Sequence, residues 1–190
     1  MDSPLANFLD EQGRYLDTQG RPEPPIAGDE AATLVGFLER QRATFAWKCG
    51  GLDANGLRAT IGSSAMTLGG MLKHLARFED DMSTEWLQGL EQLPPWNAVD
   101  WEAEPDWDWR SAGEDPREEL YSRWQEAVIR ARSLLADAIA TGGAERQISE
   151  RAPKLRYILI NMIEEYARHN GQADLIRESI DGLVGLDPPE

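Results

Sequence analysis

Four stretches of this chain repeat apolar residues every third or fourth position over about 20 residues or more, the period of amphipathic helices. No stretch alternates them convincingly as a strand does. The first helix is expected to start at Asp29, an N-cap, and to end near Cys49 before Gly50 and Gly51. Leu34, Leu38, Gln41 and Phe45 mark its stripe, with Val35 and Phe37 beside it. After a turn, "GLDANGL", the second runs from about Thr67 to Leu90 along Met71, Leu75, Phe78 and Met82, widened by Leu68, Leu72 and Trp86. The third opens on Asp115 as N-cap, with Pro116 at the first helical position and Glu118 and Glu119 in the first turn. It buries Leu120, Trp124, Ala127, Ala131, Leu134 and Ala138 and ends at Gly142 and Gly143. The fourth runs from about Lys154 to Asp181, closed by Gly182, on Ile158, Met162, Tyr166, Ala173, Ile176 and Ile180. The expected fold class is therefore all-α, an antiparallel four-helix bundle with a long crossover between the second and third helices.

Two segments lie outside that pattern. Residues 1–28 hold a short amphipathic piece (Leu5, Phe8, Leu9) and then "RPEPPIAGDE", whose prolines forbid helix. They read as an arm leading into a domain over 29–190. Residues 92–115, "QLPPWNAVDWEAEPDWDWRSAGED", carry four of the seven tryptophans with no clean period. A crossover that long in a compact domain is often functional. Its Trp96, Trp101, Trp107 and Trp109 are read first as rings pinning it to the bundle, and alternatively as a binding mouth or a pairing face. Its carboxylates are read as solvated.

Charge and cysteine count bound the setting. Nineteen Lys and Arg stand against 34 Asp and Glu, a formal net charge of -15, so nucleic acid and anionic membrane surfaces are not expected as partners. No apolar run approaches the roughly 20 residues of a spanning helix, and Met1 to Ser3 open no basic-then-apolar leader, so the cytoplasm is the expected location. A single cysteine, Cys49, allows no internal disulfide. Lys48 beside it could favour a thiolate, but a small buried filler is the reading adopted.

Both histidines fall on apolar faces: His74 between Met71 and Phe78, and His169 in the fourth stripe. At about 100° per residue, Glu165, His169 and Gln172 lie within roughly 60° of one another on one inward face. Burying a carboxylate, an imidazole and an amide there is costly without partners. A divalent ion shared with His74 would satisfy them; the alternatives are a pair of core histidines, each bonded to a backbone carbonyl or a carboxylate, and an empty polar pocket.

Three passages, "PPIAGDEAATLVGFLERQRATFAWKCGGL", "TLGGMLKHLARFE" and "LRYILINMIEEYARHNGQADLIRESIDG", resemble the DinB/YfiT-like superfamily of four-helix metalloproteins. The nearest branch is that of mycothiol-dependent maleylpyruvate isomerase and the mycothiol S-transferases, and the resemblance spans about residues 24–185. It implies up-down-down-up helices, a divalent metal (zinc or nickel) and frequently a homodimer. It also implies metal ligands at His74 and His169, with Glu165 one turn ahead of His169 as in some thiol-using members. The usual "RHNGHAD" segment reads "RHNGQAD" here, so Gln172 replaces a histidine and stands as a weaker fourth ligand or a supporting donor. On that basis Gln172→His is expected to tighten metal binding. The implied activity is transfer or isomerisation with a low-molecular-weight thiol and a small electrophile as partners. The alternatives are a metal-free binding or stress protein on the same bundle, and a dimeric interaction module working through its crossover.

Overall fold

The computed structural model describes residues 8–10, 14–17 and 20–188. It is mostly helical. Four long helices, α1 (Glu30–Cys49), α3 (Leu68–Asp80), α5 (Arg117–Gly142) and α6 (Leu155–Asp181), are joined by two five-residue helices, α2 (Ala54–Arg58) and α4 (Trp107–Ser111). This agrees with the expected all-α class, with almost no sheet. Phe8–Leu9 and Tyr15–Leu16 pair as an antiparallel hairpin, two residues per strand. Leu5, expected beside Phe8 and Leu9, lies outside the described residues.

The helix ends follow local chemistry. Asp29 caps α1 by accepting the Ala32 amide, and Thr67 caps α3 by accepting that of Gly70. Gly182 closes α6 at φ 77, where a side chain would be strained. Asp115 is a correction: the cap position of α5 is Pro116, and the Asp115 carboxylate reaches Lys73 at 2.6 Å instead. The expected second helix is also interrupted, since Asp81–Trp86 winds as a π-helix. Each residue there turns the chain through less than an α step, so Trp86 rotates off the stripe and is 39% exposed.

Side-chain pairs show how the long helices run. Glu30 meets Arg156, Gln41 meets Asn170 and Lys48 meets Asp174, so α1 and α6 point the same way. Asp115 with Lys73 and Arg130 with Asp80 give α3 and α5 a common direction. Glu39 with Arg132 and Cys49 with Tyr121 set α1 against α5. The arm crosses α1 at Gly36, where an added Cβ would stand 2.6 Å from Pro24 Cα.

The core is apolar around Leu38, Phe45, Met71, Leu75, Met162 and Ile176, and a buried polar layer of Glu39, Arg42, Glu79 and Tyr166 crosses it. Arg42 donates to Glu79 at 2.7 and 2.5 Å and to Glu39 at 2.6 Å. Arg132 also donates to Glu39, and the Tyr166 hydroxyl donates to Glu79 at 2.7 Å. Every charge in the layer has an opposite partner, the condition for burying it.

The crossover lies against the outer face of α3. Trp96 is fully buried and donates its indole N–H to Asp80 at 2.9 Å. The Arg77 guanidinium lies 3.5 Å over Trp101 and the Lys73 ammonium 4.2 Å over Trp107. The tryptophan run thus packs on the chain's own helices. That removes the argument for pairing which rested on exposed crossover rings.

Candidate metal centre

His74 projects from the middle of α3, and Glu165 and His169 from successive turns of α6. Their rings and carboxylate converge. Nε2 of His74 and Nε2 of His169 each lie 3.0 Å from the same oxygen, Oε1 of Glu165. The two ring centroids are 5.1 Å apart, and one ligand atom from each of the three residues lies within 4.8 Å of the others.

The outer ring nitrogens are also engaged. Nδ1 of His74 is 2.9 Å from Oδ2 of Asp108, and Nδ1 of His169 is 2.7 Å from Oε1 of Gln172. The result is a continuous chain: Asp108, His74, Glu165, His169, Gln172. The structure therefore brings His74, Glu165 and His169 together and sets Gln172 against the ring edge of His169 that points away from Glu165. Arg168 is exposed.

Asp108 was missed by sequence reasoning, while Trp109 was read only as one of four crossover rings that pin the segment or line a binding mouth. Both sit on α4, inside the acidic crossover. Trp109 stacks on His74 at 4.5 Å and 26°, and its centroid is 5.4 Å from that of His169. Gly70 makes this approach possible: an added Cβ would stand 3.0 Å from the Trp109 ring. Asp108, read as one of many solvated carboxylates, is 1% exposed. Nothing in the local spelling "DWDW" distinguishes it, because its partners lie on α3.

Hydrogen bonds within the cluster set its charges. Hydrogen bonds from His169 and then His74 hold the Glu165 carboxyl well below the usual carboxylate range. Burial works against a charged His74, but the bonds to Asp108 and Glu165 outweigh it and raise the imidazole above its ordinary value. For Asp108, burial pulls upward and the His74 contact prevails, leaving it lowered. Both ring nitrogens of His74 thus lie within hydrogen-bond distance of a carboxylate, an arrangement that favours its protonated form.

Cys49 plays no part in this chemistry. It is fully buried, and burial pushes its thiol well above the ordinary value, which fits the filler reading. The neighbouring Lys48 points to Asp174 at 2.5 Å. A cavity of about 820 Å³ lies between α1 and α5 against Glu39, Arg42 and Arg132, away from the triad. A smaller one of about 300 Å³ is bordered by Trp109, Thr67, Leu57 and Arg117. No described helix is long and apolar enough to cross a membrane.

Compared with known proteins, the family model for mycothiol S-transferase matches residues 33–182, a span that contains all five members of the hydrogen-bonded chain. Among curated proteins none matches.

Proposed function

We propose, from the premise that this chain belongs to the mycothiol S-transferase family, that it transfers a mycothiol-type thiol to a small electrophile at a divalent-metal centre formed by His74, Glu165 and His169. What carries the reading is the shared oxygen of Glu165, approached by two imidazole nitrogens at 3.0 Å each. Two borderline nitrogen donors and one carboxylate oxygen suit zinc or nickel, and three protein ligands leave a coordination position for substrate. A divalent ion bound there lowers the pKa of a thiol, so that the thiol reacts as thiolate at neutral pH.

The chain's own residues do the rest. Glu165 supplies the negative charge that a cation needs, and its low proton affinity keeps it ionised at neutral pH. Gln172 accepts from Nδ1 of His169, which leaves Nε2 of that ring free to face the cluster. In this reading Gln172 supports a ligand and is not one itself. Trp109 covers the His74 face and keeps water from that side. His74 and Glu165 remain partly open, at 18% and 24% side-chain exposure, which gives a small thiol its approach.

The same reading places the four long helices in an up-down-down-up bundle over residues 29–190, preceded by the arm. Pairing of two copies rests on the family resemblance alone, and sedimentation over micromolar concentrations tests it. The central experiment is metal analysis of protein purified without a histidine tag, followed by loss of free mycothiol on mixing with an electrophile. Stoichiometric zinc or nickel with metal-dependent thiol consumption is expected. Metal-free protein that cannot be loaded would overturn the reading.

A second reading has its own observation. The Asp108-to-Gln172 chain satisfies every nitrogen and the shared oxygen without any ion. A metal-free binding protein would keep such a chain, and the same metal analysis separates the two.

A further inference from the structure

We infer that Asp108, delivered by the crossover, is the positioning residue that fixes His74 for metal binding, so that the centre is built from the crossover as well as from the helices. The inference rests on the metal reading above and adds a residue to it. An imidazole ligates through one nitrogen only if the other carries the hydrogen, and the hydrogen-bond partner of that other nitrogen decides which is which. Nε2 of His74 faces Glu165 and the cluster; Nδ1 faces Oδ2 of Asp108 at 2.9 Å. A carboxylate only accepts, so when an ion would take Glu165 and the Nε2 lone pair, Asp108 is the acceptor that keeps the ring hydrogen on Nδ1.

Asp108 is itself held in place. Its Oδ1 accepts the Trp109 amide at 3.0 Å, and an Arg77 guanidinium N–H approaches its Oδ2 at 3.4 Å. Trp109, next in sequence, stacks on the same imidazole and stops the ring from turning about its bond to the backbone. The crossover has separate anchors in Trp96 on Asp80, Trp101 under Arg77 and Trp107 under Lys73. An isosteric change at Asp108 therefore leaves the crossover seated while removing the charge behind His74. Partners of this kind are worth about 10- to 100-fold in metal affinity.

The test measures zinc affinity of the full chain by competition with a chelating dye. Asp108→Asn is compared with wild type, with Lys73→Met, which loosens the same crossover at Trp107 and Asp115 but leaves the Asp108 contacts in place, and with His74→Ala. Asp108→Asn is expected to bind zinc about 10- to 100-fold more weakly, Lys73→Met within about threefold of wild type, and Asp108→Asn to add nothing in the His74→Ala background. Cobalt substitution gives a readout that packing alone would not move: the visible bands of the cobalt-loaded Asp108→Asn protein shift as the ligand environment weakens. Wild-type affinity in Asp108→Asn overturns the inference, and so does an equal loss in Lys73→Met, which would make crossover packing the whole effect. A wild-type chain that takes up no zinc, nickel or cobalt overturns the metal reading, and this inference falls with it.

Discussion

Position 172 separates two accounts of the centre, and the structure gives its magnitude. The spelling "RHNGQAD" leads to the expectation that Gln172→His adds an imidazole ligand and tightens metal binding. The structure places Oε1 of Gln172 2.7 Å from Nδ1 of His169, on the ring edge opposite the one that meets Glu165. When Nε2 of His169 gives its lone pair to an ion, the ring hydrogen must sit on Nδ1, and Gln172 is its acceptor. His169 is 4% exposed, so water does not readily replace that acceptor. In the metal-free state the ring can instead donate from Nε2 to Glu165 and needs Gln172 less. Gln172→Leu therefore penalises the bound state selectively. An unsatisfied buried donor costs about 1–3 kcal/mol, which at about 1.4 kcal/mol per decade is roughly 5- to 150-fold in affinity. Gln172→Glu, a charged acceptor for the same hydrogen, is expected to tighten binding several-fold. Gln172→His, which at best replaces one neutral acceptor by another, is expected to stay within about threefold of wild type. Chelator competition on tag-free protein reads all three. Undiminished affinity in Gln172→Leu would refute the supporting role, and a tenfold gain in Gln172→His would mean that position 172 reaches the ion itself.

Arg42→Met should destabilise the fold by about 3–5 kcal/mol, because Glu79, fully buried, keeps only the Tyr166 hydroxyl. Thermal melts should fall by roughly 6–20 °C and recover in Arg42→Met/Glu79→Leu; a single variant that melts like wild type contradicts this. Metal-free protein should lose stability as pH rises through the raised His74 pKa, since that contribution is complete below the ordinary 6.5 and vanishes above the folded value. It should also lose stability as pH falls below the ordinary 4.5 toward the lowered Glu165 pKa; in urea melts in chelator from about pH 3 to 9, a steady rise with pH would refute the His74 sign and a steady fall the Glu165 sign. Cys49, fully buried with a raised pKa, should resist an aromatic disulfide reagent in the native protein and react once unfolded; fast native reaction would place it at the surface.

What the sequence made legible was what depends on neighbours along the chain. Asp29, Gly182 and the apolar stripe of the fourth helix are local signals, and α1 and α6 begin and end within a residue of where those signals put them. Glu165 and His169 were found for the same reason, one turn apart on a helical face. The misses are places where a distant partner wins. Asp115 looks like a cap but goes to Lys73 on α3. The π turn at Asp81–Trp86 keeps the i+4 spelling of a stripe while its geometry rotates Trp86 outward; Ser83 and Thr84 hydroxyls bond back to the carbonyls of Glu79 and Asp80 there. The helix α2 was read as a turn because five residues hold no period, although Asp53 caps it at the Gly56 amide. Asp108 is the costliest miss, since its role exists only once the crossover lies on α3.

The two polar layers of the interior differ in one respect that bears on function. Glu79 and Glu39 are neutralised by Arg42 and Arg132, whose guanidinium groups never give up their charge at accessible pH. Glu165 sits in the adjacent layer, next in sequence to the Tyr166 that donates to Glu79; among the described residues no Lys or Arg is paired with it, and its partners are the imidazoles of His74 and His169. An imidazole exists in a neutral form that can ligate a metal, and a guanidinium does not. The first layer is thus a permanent cross-brace between α1, α3, α5 and α6, while in the second the place of a counter-charge to Glu165 is held by imidazoles alone. A divalent cation is the natural competitor for that place, because it satisfies the carboxylate and both ring nitrogens at once. Exchanging the roles tests the distinction: Glu165→Gln should abolish zinc binding with little loss of stability at pH 8, whereas Glu79→Gln should weaken the fold and leave zinc affinity nearly intact.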